Sequence, residues 1–477
     1  MIRDCKRYMQ TRVRQAASAI YMVLLTACST QLVLPTPEAK DPVHAAFVAL
    51  GPGGTAVARV ITSSPTCPDL EVDAARVAMT LRAAPATLPL RPTISGQAAS
   101  KPPAFPVTTC EAPVPPRARS ASVGGHALPL PKPTPQRIVV IGDSGCRLKL
   151  SDGAFQRCND PAEWPFAQIA GVAAKMRPDL VIHVGDYHYR ENACPVGEAG
   201  CAASPWGYGW DAWDADFFTP ARDLLAAAPW IFVRGNHESC NRAGQGWWRF
   251  LDPRSLEPRR DCNDAADDGI GDYSEPYAVP LGDTQFIVFD SSKAVIPPLS
   301  PGDSMYRTYT DQMQSVFVLA RGVEYNFFLD HHPILGFAPN PTQHPTGLYP
   351  GNQALQSVLA PLTARRLFPQ NIAALIAGHY HLFEMVSFGT SQPVQLISGN
   401  AGAWTDAPLP VAVARTAEPA PGAIIESIVS TSKFGFMIIE RRPAATWLIQ
   451  ALDVRGQPFT TCTLRDAKAR CEPETLP

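Results

Sequence analysis

From Arg137 onward, short apolar runs alternate with longer stretches whose apolar residues recur every three or four positions. Ile138–Ile141, Leu180–Val184, Trp230–Val233, Phe286–Phe289, Tyr325–Leu329 and Ile372–Ile376 are four or five residues long and nearly unbroken by polar positions. Runs of this kind predict buried strands. Between them, Ala162–Met176, Asp211–Ala228, Tyr309–Ala320 and Asn352–Leu367 carry helical spacing. Val394–Ile397, Phe434–Ile439 and Thr446–Leu452 add closing strands, and the Ala/Pro-rich stretch 402–430 reads as a long surface loop. Strands alternating with helices predict an α/β layered fold.

Residues 43–128 differ. Ala45–Leu50, Thr55–Ile61, Arg76–Leu81, Phe105–Cys110 and Ala118–Val123 are β-like runs separated by turn residues, with no helical period. They predict a small β-sandwich-like domain. The proline-rich stretch 129–136 (Pro-Leu-Pro-Lys-Pro-Thr-Pro-Gln) is expected to be a stiff linker. A second, larger domain then runs over 137–477.

The N-terminus changes the compartment. Arg3, Lys6, Arg7, Arg12 and Arg14 precede the apolar stretch Ala16–Ala27, which is too short for a permanent membrane span. It ends in Leu25-Thr26-Ala27-Cys28, which resembles a bacterial lipobox. That resemblance implies a signal peptide over 1–27, lipidation of Cys28 and a tether over 28–42. Ser29 implies sorting to the outer membrane, with the protein in the periplasm or at the cell surface. Of 12 cysteines, Cys5 and Cys28 belong to this segment, leaving ten. An even number in an oxidising compartment predicts disulfides, and sequential pairing is the simplest arrangement: Cys67–Cys110, Cys146–Cys158, Cys194–Cys201, Cys240–Cys262 and Cys462–Cys471. The net charge of -2 gives no bulk attraction to nucleic acid or anionic lipid, so membrane attachment would be by the lipid alone.

Candidate chemistry sits where the strands end. Ile141 is followed by Gly142-Asp143-Ser144-Gly145, Val184 by Gly185-Asp186-Tyr187-His188-Tyr189, and Arg234 by Gly235-Asn236-His237-Glu238. Asp330 leads into His331-His332-Pro333, and Ala377 into Gly378-His379-Tyr380-His381. One Gly-Asp pair is only a turn signal. Four apolar strands each followed by glycine and a ligand-type residue point instead to a site at the carboxyl ends of strands, where α/β sheets bind ligands. Glycine is expected to let the chain turn sharply there, aiming each side chain into a cleft. No GxSxG elbow or P-loop is present.

With these five segments in order, the chain resembles the calcineurin-like metallophosphoesterases, and most closely their purple acid phosphatase branch, known by GDxG, GDxxY, GNH(D/E), VxxH and GHxH. Four motifs match letter for letter; in the fourth, Phe328 replaces the valine. The resemblance implies a four-layer α/β/β/α sandwich of two mixed sheets flanked by helices. It implies that Asp143, Tyr189 and His381 hold a first metal, that Asn236, His331 and His379 hold a second, and that Asp186 bridges them. His237 would hydrogen-bond the phosphoryl oxygens or protonate the leaving group. Carboxylate, phenolate and imidazole suit iron at the first position; amide and imidazoles suit a divalent ion such as Zn, Mn or Fe at the second. Two such cations clamp a phosphate and lower the pKa of a bound water. Tyr189 discriminates most, since relatives lacking it generally carry DxH in the first motif, where this chain has Asp143-Ser144-Gly145.

Around this set, His332 and Glu384 are expected to support the ligands, Glu384 by orienting an imidazole. His344 lies in a loop where the family often places a substrate-touching histidine, and Arg242 is a candidate partner for phosphate. Trp247 and Trp248 form either a rim for an organic leaving group or a core packed inward. The favoured function is a phosphomonoesterase of acid phosphatase type. The alternatives are a phosphodiesterase or nucleotidase on the same scaffold, or a non-catalytic surface lipoprotein that binds a protein partner.

Overall fold

In the computed structural model, residues 41–340, 347–363, 366–474 and 476 are described. The expected signal segment, Cys28, most of the tether and His344 lie outside the described residues.

The short apolar runs are strands, and their side chains alternate between two buried faces. Ile138 and Val140 point to one core; Val139 and Ile141 point to another. Arg137–Ile141, Leu180–His183 and Trp230–Phe232 pair in parallel. They lie at the centre of an eleven-stranded sheet. A seven-stranded sheet holds Thr284–Val288, Tyr325–Leu329, Ile372–Ala377 and Val394–Ser398, also in parallel. One apolar core joins the facing sides of these sheets: Val140 and Ile182 from the first share it with Phe327 and Ile376 from the second. The outer face of the large sheet packs on helix Phe166–Lys175 through Ile169 and Ala173. The outer face of the smaller sheet packs on helices Ser304–Ala320 and Gln353–Leu359 through Met313, Val316, Leu355 and Val358. The α/β/β/α sandwich of two mixed sheets is thus realised.

The segment 43–128 is strand-rich, as expected: Asp69–Val72, Ala75–Ala78, Ala121–Val123 and His126–Ala127 form a small sheet whose Leu70 and Val123 share a core with Val48 and Val60, but the sheet that carries Val48 and Val60 is continuous with the large catalytic sheet. Val43–Leu50 pairs in parallel with Trp230–Phe232 through Ala49 and Trp230. Ala56–Thr62, Thr108–Val114 and Thr80–Ala83 continue the large sheet outward. Residues 42–477 therefore form one compact unit. The reason is visible in Val43–Leu50 itself: Phe47 and Ala49 face one core while Val48 and Leu50 face the other. A strand apolar on both faces needs cover on both.

Two other expectations change. The stretch 402–430 includes the start of strand Ile425–Thr431, which pairs with Phe383–Phe388, so only its first part is loop. The helix expected over 211–228 is broken into α-helix Trp210–Trp213, a π-turn Asp214–Phe218 and α-helix Arg222–Ala227. Pro220, which lacks an amide hydrogen, stands at the break. All five sequential disulfides are formed.

Candidate metal centre

The five strand ends converge. Tyr189 Oη lies 2.9 Å from Asp143 Oδ1, 2.9 Å from Asp186 Oδ2 and 2.8 Å from His381 Nε2. Across the cleft, Asn236 Oδ1 lies 3.0 Å from His331 Nε2 and 3.0 Å from His379 Nδ1. Asp186 reaches both groups, since its Oδ2 is also 3.2 Å from His331 Nε2. Asp186, His331 and His379 place one donor atom each within 4.8 Å of one another. Asp143, Asp186, Tyr189 and His331 are fully buried, while Asn236 and His379 are half-buried at the open side.

Backbone strain aims these groups. Asp143 (φ 55°), Asp186 (φ 58°) and His379 (φ 68°) all take the left-handed conformation, at a cost of about 1 kcal/mol or more each. The turn expected of the preceding glycines is thus made by the ligand-type residues, and only Gly185 (φ 100°) shares it. Gly378 serves close approach instead: a Cβ there would lie 2.6 Å from Asp143 Oδ2.

Two residues outside the expected set hold the loops. Glu238 accepts the backbone N–H groups of Gly235 (3.1 Å), Asp186 (3.0 Å), Tyr187 (2.9 Å) and His188 (3.2 Å). Burial and the nearby Asp186 push its pKa up to about 8. Asp216, on the π-turn, accepts from the N–H groups of Cys146 (2.9 Å), Tyr189 (2.7 Å) and Arg190 (3.0 Å) and from Arg190 Nε (2.7 Å). Glu238 is the last letter of a motif, but nothing in the sequence marks Asp216: its role depends on two loops, 70 residues (Cys146) and 26–27 residues (Arg190, Tyr189) distant, folding against it.

The donor chemistry fits a cation. His331 Nδ1–H donates to Val184 O (2.8 Å), so the neutral ring turns the lone pair of Nε2 toward the oxygens of Asn236 and Asp186. His381 Nδ1–H likewise donates to Trp404 O (2.6 Å), turning Nε2 toward Tyr189 and Asp143. Lone pairs facing oxygens at about 3 Å repel unless a proton or a metal lies between them. Asp186 and Asp143 accordingly raise His331 to about 9 against the effect of burial. Burial, Asp143 and Asp186 hold the Tyr189 phenol well above its ordinary value, so it would ionise only against a strong positive charge.

His237 stands beside this set. Its ring lies 3.9 Å from that of Tyr189, centroid to centroid, and its Nε2 is 3.8 Å from Asp186 Oδ2. Arg242 Nη2 lies 2.6 Å from both ring nitrogens and is paired with buried Glu191. Burial and Arg242 push His237 down to about 4, against Asp186 and Glu191. The expected substrate contact, Arg242, thus borders the site but is already engaged. His332 Nδ1 is 3.1 Å from Ser291 Oγ, and its ring lies 4.2 Å from that of His379, in keeping with a supporting place. Glu384 does not orient an imidazole as expected. Its Oε1 accepts Phe337 N–H (2.9 Å), because strand Phe383–Phe388 carries it toward the 336–337 loop, and the His381 ring is held by Trp404 O instead. Trp247 and Trp248 are packed inward, so they form core and not a rim. His183 is a buried structural histidine stacked on Tyr187.

Two sheets that bring carboxylates, a phenol, an amide and imidazoles to one cleft define a metallohydrolase. The calcineurin-like phosphoesterase family matches residues 136–383, more than half of the chain, and the chain belongs to that family. It is a metallophosphoesterase, and that family implies a dinuclear metal centre and a phosphate ester as substrate. Among solved structures it resembles a purple acid phosphatase, PPD1, from yellow lupin (Lupinus luteus) seeds. That likeness has a TM-score of 0.57 and 14% identity, covering 88% of this chain and 73% of the other. It also resembles PhoD, with a TM-score of 0.51 and 10% identity, covering 91% of this chain and 93% of the other. No curated protein matches it by sequence.

Proposed function

We propose that the chain is an exported phosphomonoesterase of acid phosphatase type. Asp143, Tyr189 and His381 would hold a first metal, iron. Asn236, His331 and His379 would hold a second, divalent metal (Zn, Mn or Fe), with Asp186 shared between the two. The observation that carries the reading is the position of Tyr189 Oη within 2.9 Å of both Asp143 and Asp186 and 2.8 Å from His381. A phenol among two carboxylates and an imidazole lone pair matches the hard, anionic donor set that iron favours. When bound, the two ions supply positive charge that grips the phosphoryl group and activates a water.

The chain's own residues do the rest. Asn236 and His379, at the open side, face the entering substrate. His237 presents Nε2 toward the phosphoryl group, whose negative charge opposes the effect of Arg242 and favours the protonated ring. From there the ring serves the leaving oxygen. The lipobox-like segment and five disulfides support export and anchoring to the outer membrane through Cys28. Elemental analysis with an optical spectrum, beside turnover of a phosphate monoester and a diester, tests the proposal. A visible tyrosinate band, two metals per chain and faster monoester turnover are expected. A colourless, iron-free enzyme would remove the iron assignment, and faster diester turnover would favour the phosphodiesterase.

A further inference from the structure

Segment 91–101 is a loop of the N-terminal region, between strands Ala86–Thr87 and Ala104–Phe105 and far in sequence from every motif, yet it is fastened beside His237. Ile94 N–H donates to Asn241 O (3.0 Å), Asn192 Nδ2 donates to Ala99 O (3.1 Å), and Arg91 donates to Cys262 O. From it a hydrogen-bonded line runs inward. Tyr208 Oη lies 3.0 Å from Glu191 Oε2 and 3.1 Å from Ser95 Oγ. A carboxylate can only accept, so the single phenol proton goes to Glu191 and Ser95 donates to Tyr208. Glu191 Oε1 lies 2.9 Å from His237 Nδ1 and also pairs with Arg242. Glu191 is 1% exposed and Tyr208 3%. A carboxylate so deeply buried must be held by such partners.

Nδ1 of His237 faces two acceptors, Glu191 Oε1 and His188 O (3.1 Å), so Nδ1 carries a hydrogen and Nε2 keeps the lone pair, which the Arg242 guanidinium also borders (Nη2 at 2.6 Å). We propose that Ser95, Tyr208 and Glu191 are positioning residues that lock the His237 ring with Nε2 toward the leaving oxygen. The N-terminal region thereby takes part in positioning His237. This rests on the reading of His237 given above.

A leaving-group comparison tests it. Protonation matters for an alkoxide and little for 4-nitrophenolate, whereas general damage to the fold lowers both rates alike. With the metal-loaded enzyme, Glu191→Gln is expected to lower kcat on glycerol 2-phosphate about a hundredfold and on 4-nitrophenyl phosphate only about threefold. Tyr208→Phe should show about a tenfold loss on the alkyl ester alone, and Ser95→Ala, which removes one hydroxyl from a half-buried loop position, about threefold. Metal content should not change. In the metal-free protein, a slowly exchanging Nδ1–H proton resonance of His237 is expected, and it should vanish in Glu191→Gln. Equal losses on both esters, or a resonance unchanged in Glu191→Gln, would overturn the inference. His237→Ala runs in parallel: if it discriminates between the esters while Tyr208→Phe and Ser95→Ala do not, only the positioning role falls. If His237→Ala does not discriminate, the leaving-group reading falls and the inference with it.

Discussion

Asp186 is the residue on which most depends, because one carboxylate faces Tyr189 on one side and His331 on the other. Asp186→Ala should abolish turnover, by at least about a thousandfold, with loss of both metals on elemental analysis; retained turnover would refute the bridging role. Tyr189→Phe keeps the ring that lies against His237 and removes only the oxygen. It should bleach the visible band with no shift in melting temperature beyond a few degrees. Glu238→Gln keeps the shape of its side chain but not four acceptor contacts of equal strength. It should destabilise the fold by about 1–3 kcal/mol, read as a lower midpoint in urea, and reduce metal affinity because the Asp186 loop loosens.

At the scale of elements, the site is built from loops that strands deliver and cross-links hold. The Cys240–Cys262 disulfide closes 22 residues directly after His237 and Glu238. Replacing both cysteines by serine should cost about 3 kcal/mol, checked by chemical denaturation. The strands were legible because each is a compact apolar run whose burial needs no knowledge of its neighbours. Of helix Ser304–Ala320 the part 309–320 was legible from its spacing, whereas its first turn was not, nor was the break at the π-turn, which answers to Asp216 reaching the amides of Cys146, Tyr189 and Arg190. Strand Phe383–Phe388 was missed because it follows His381 almost at once and carries the polar residues Glu384 and Ser387 among its apolar ones.

For the whole molecule, the N-terminal strands are structural partners of the catalytic sheet. Arg59 donates to Phe250 O (2.8 Å) and Asp252 O (2.9 Å), and Arg82 Nε to Trp248 O and Arg249 O (3.1 Å each). These buried cations tie strands of the 43–128 region to the segment after the third motif. A chain starting at residue 129 should therefore fail to fold, since the edge of Trp230–Phe232 and the core around Phe47 would lie open. A soluble 129–477 fragment with native circular dichroism would contradict this. Chelating the metals should lower the melting temperature of the full protein by about 5–10 °C, because ions held only by the folded state stabilise it by mass action.

Local pattern alone determined the layered fold, the strand ends that carry Asp143, Asp186, Asn236, His331 and His379, and the even set of cysteines. Those properties follow from burial period and chemical type, which neighbours in sequence already express. Only the tertiary structure decided that residues 43–128 extend the large sheet, that Glu384 turns away from the imidazoles, and that Glu191 and Tyr208 stand behind His237. Each of these depends on which distant backbone fills the space beside a side chain, and that is settled by packing, which no local stretch of sequence encodes.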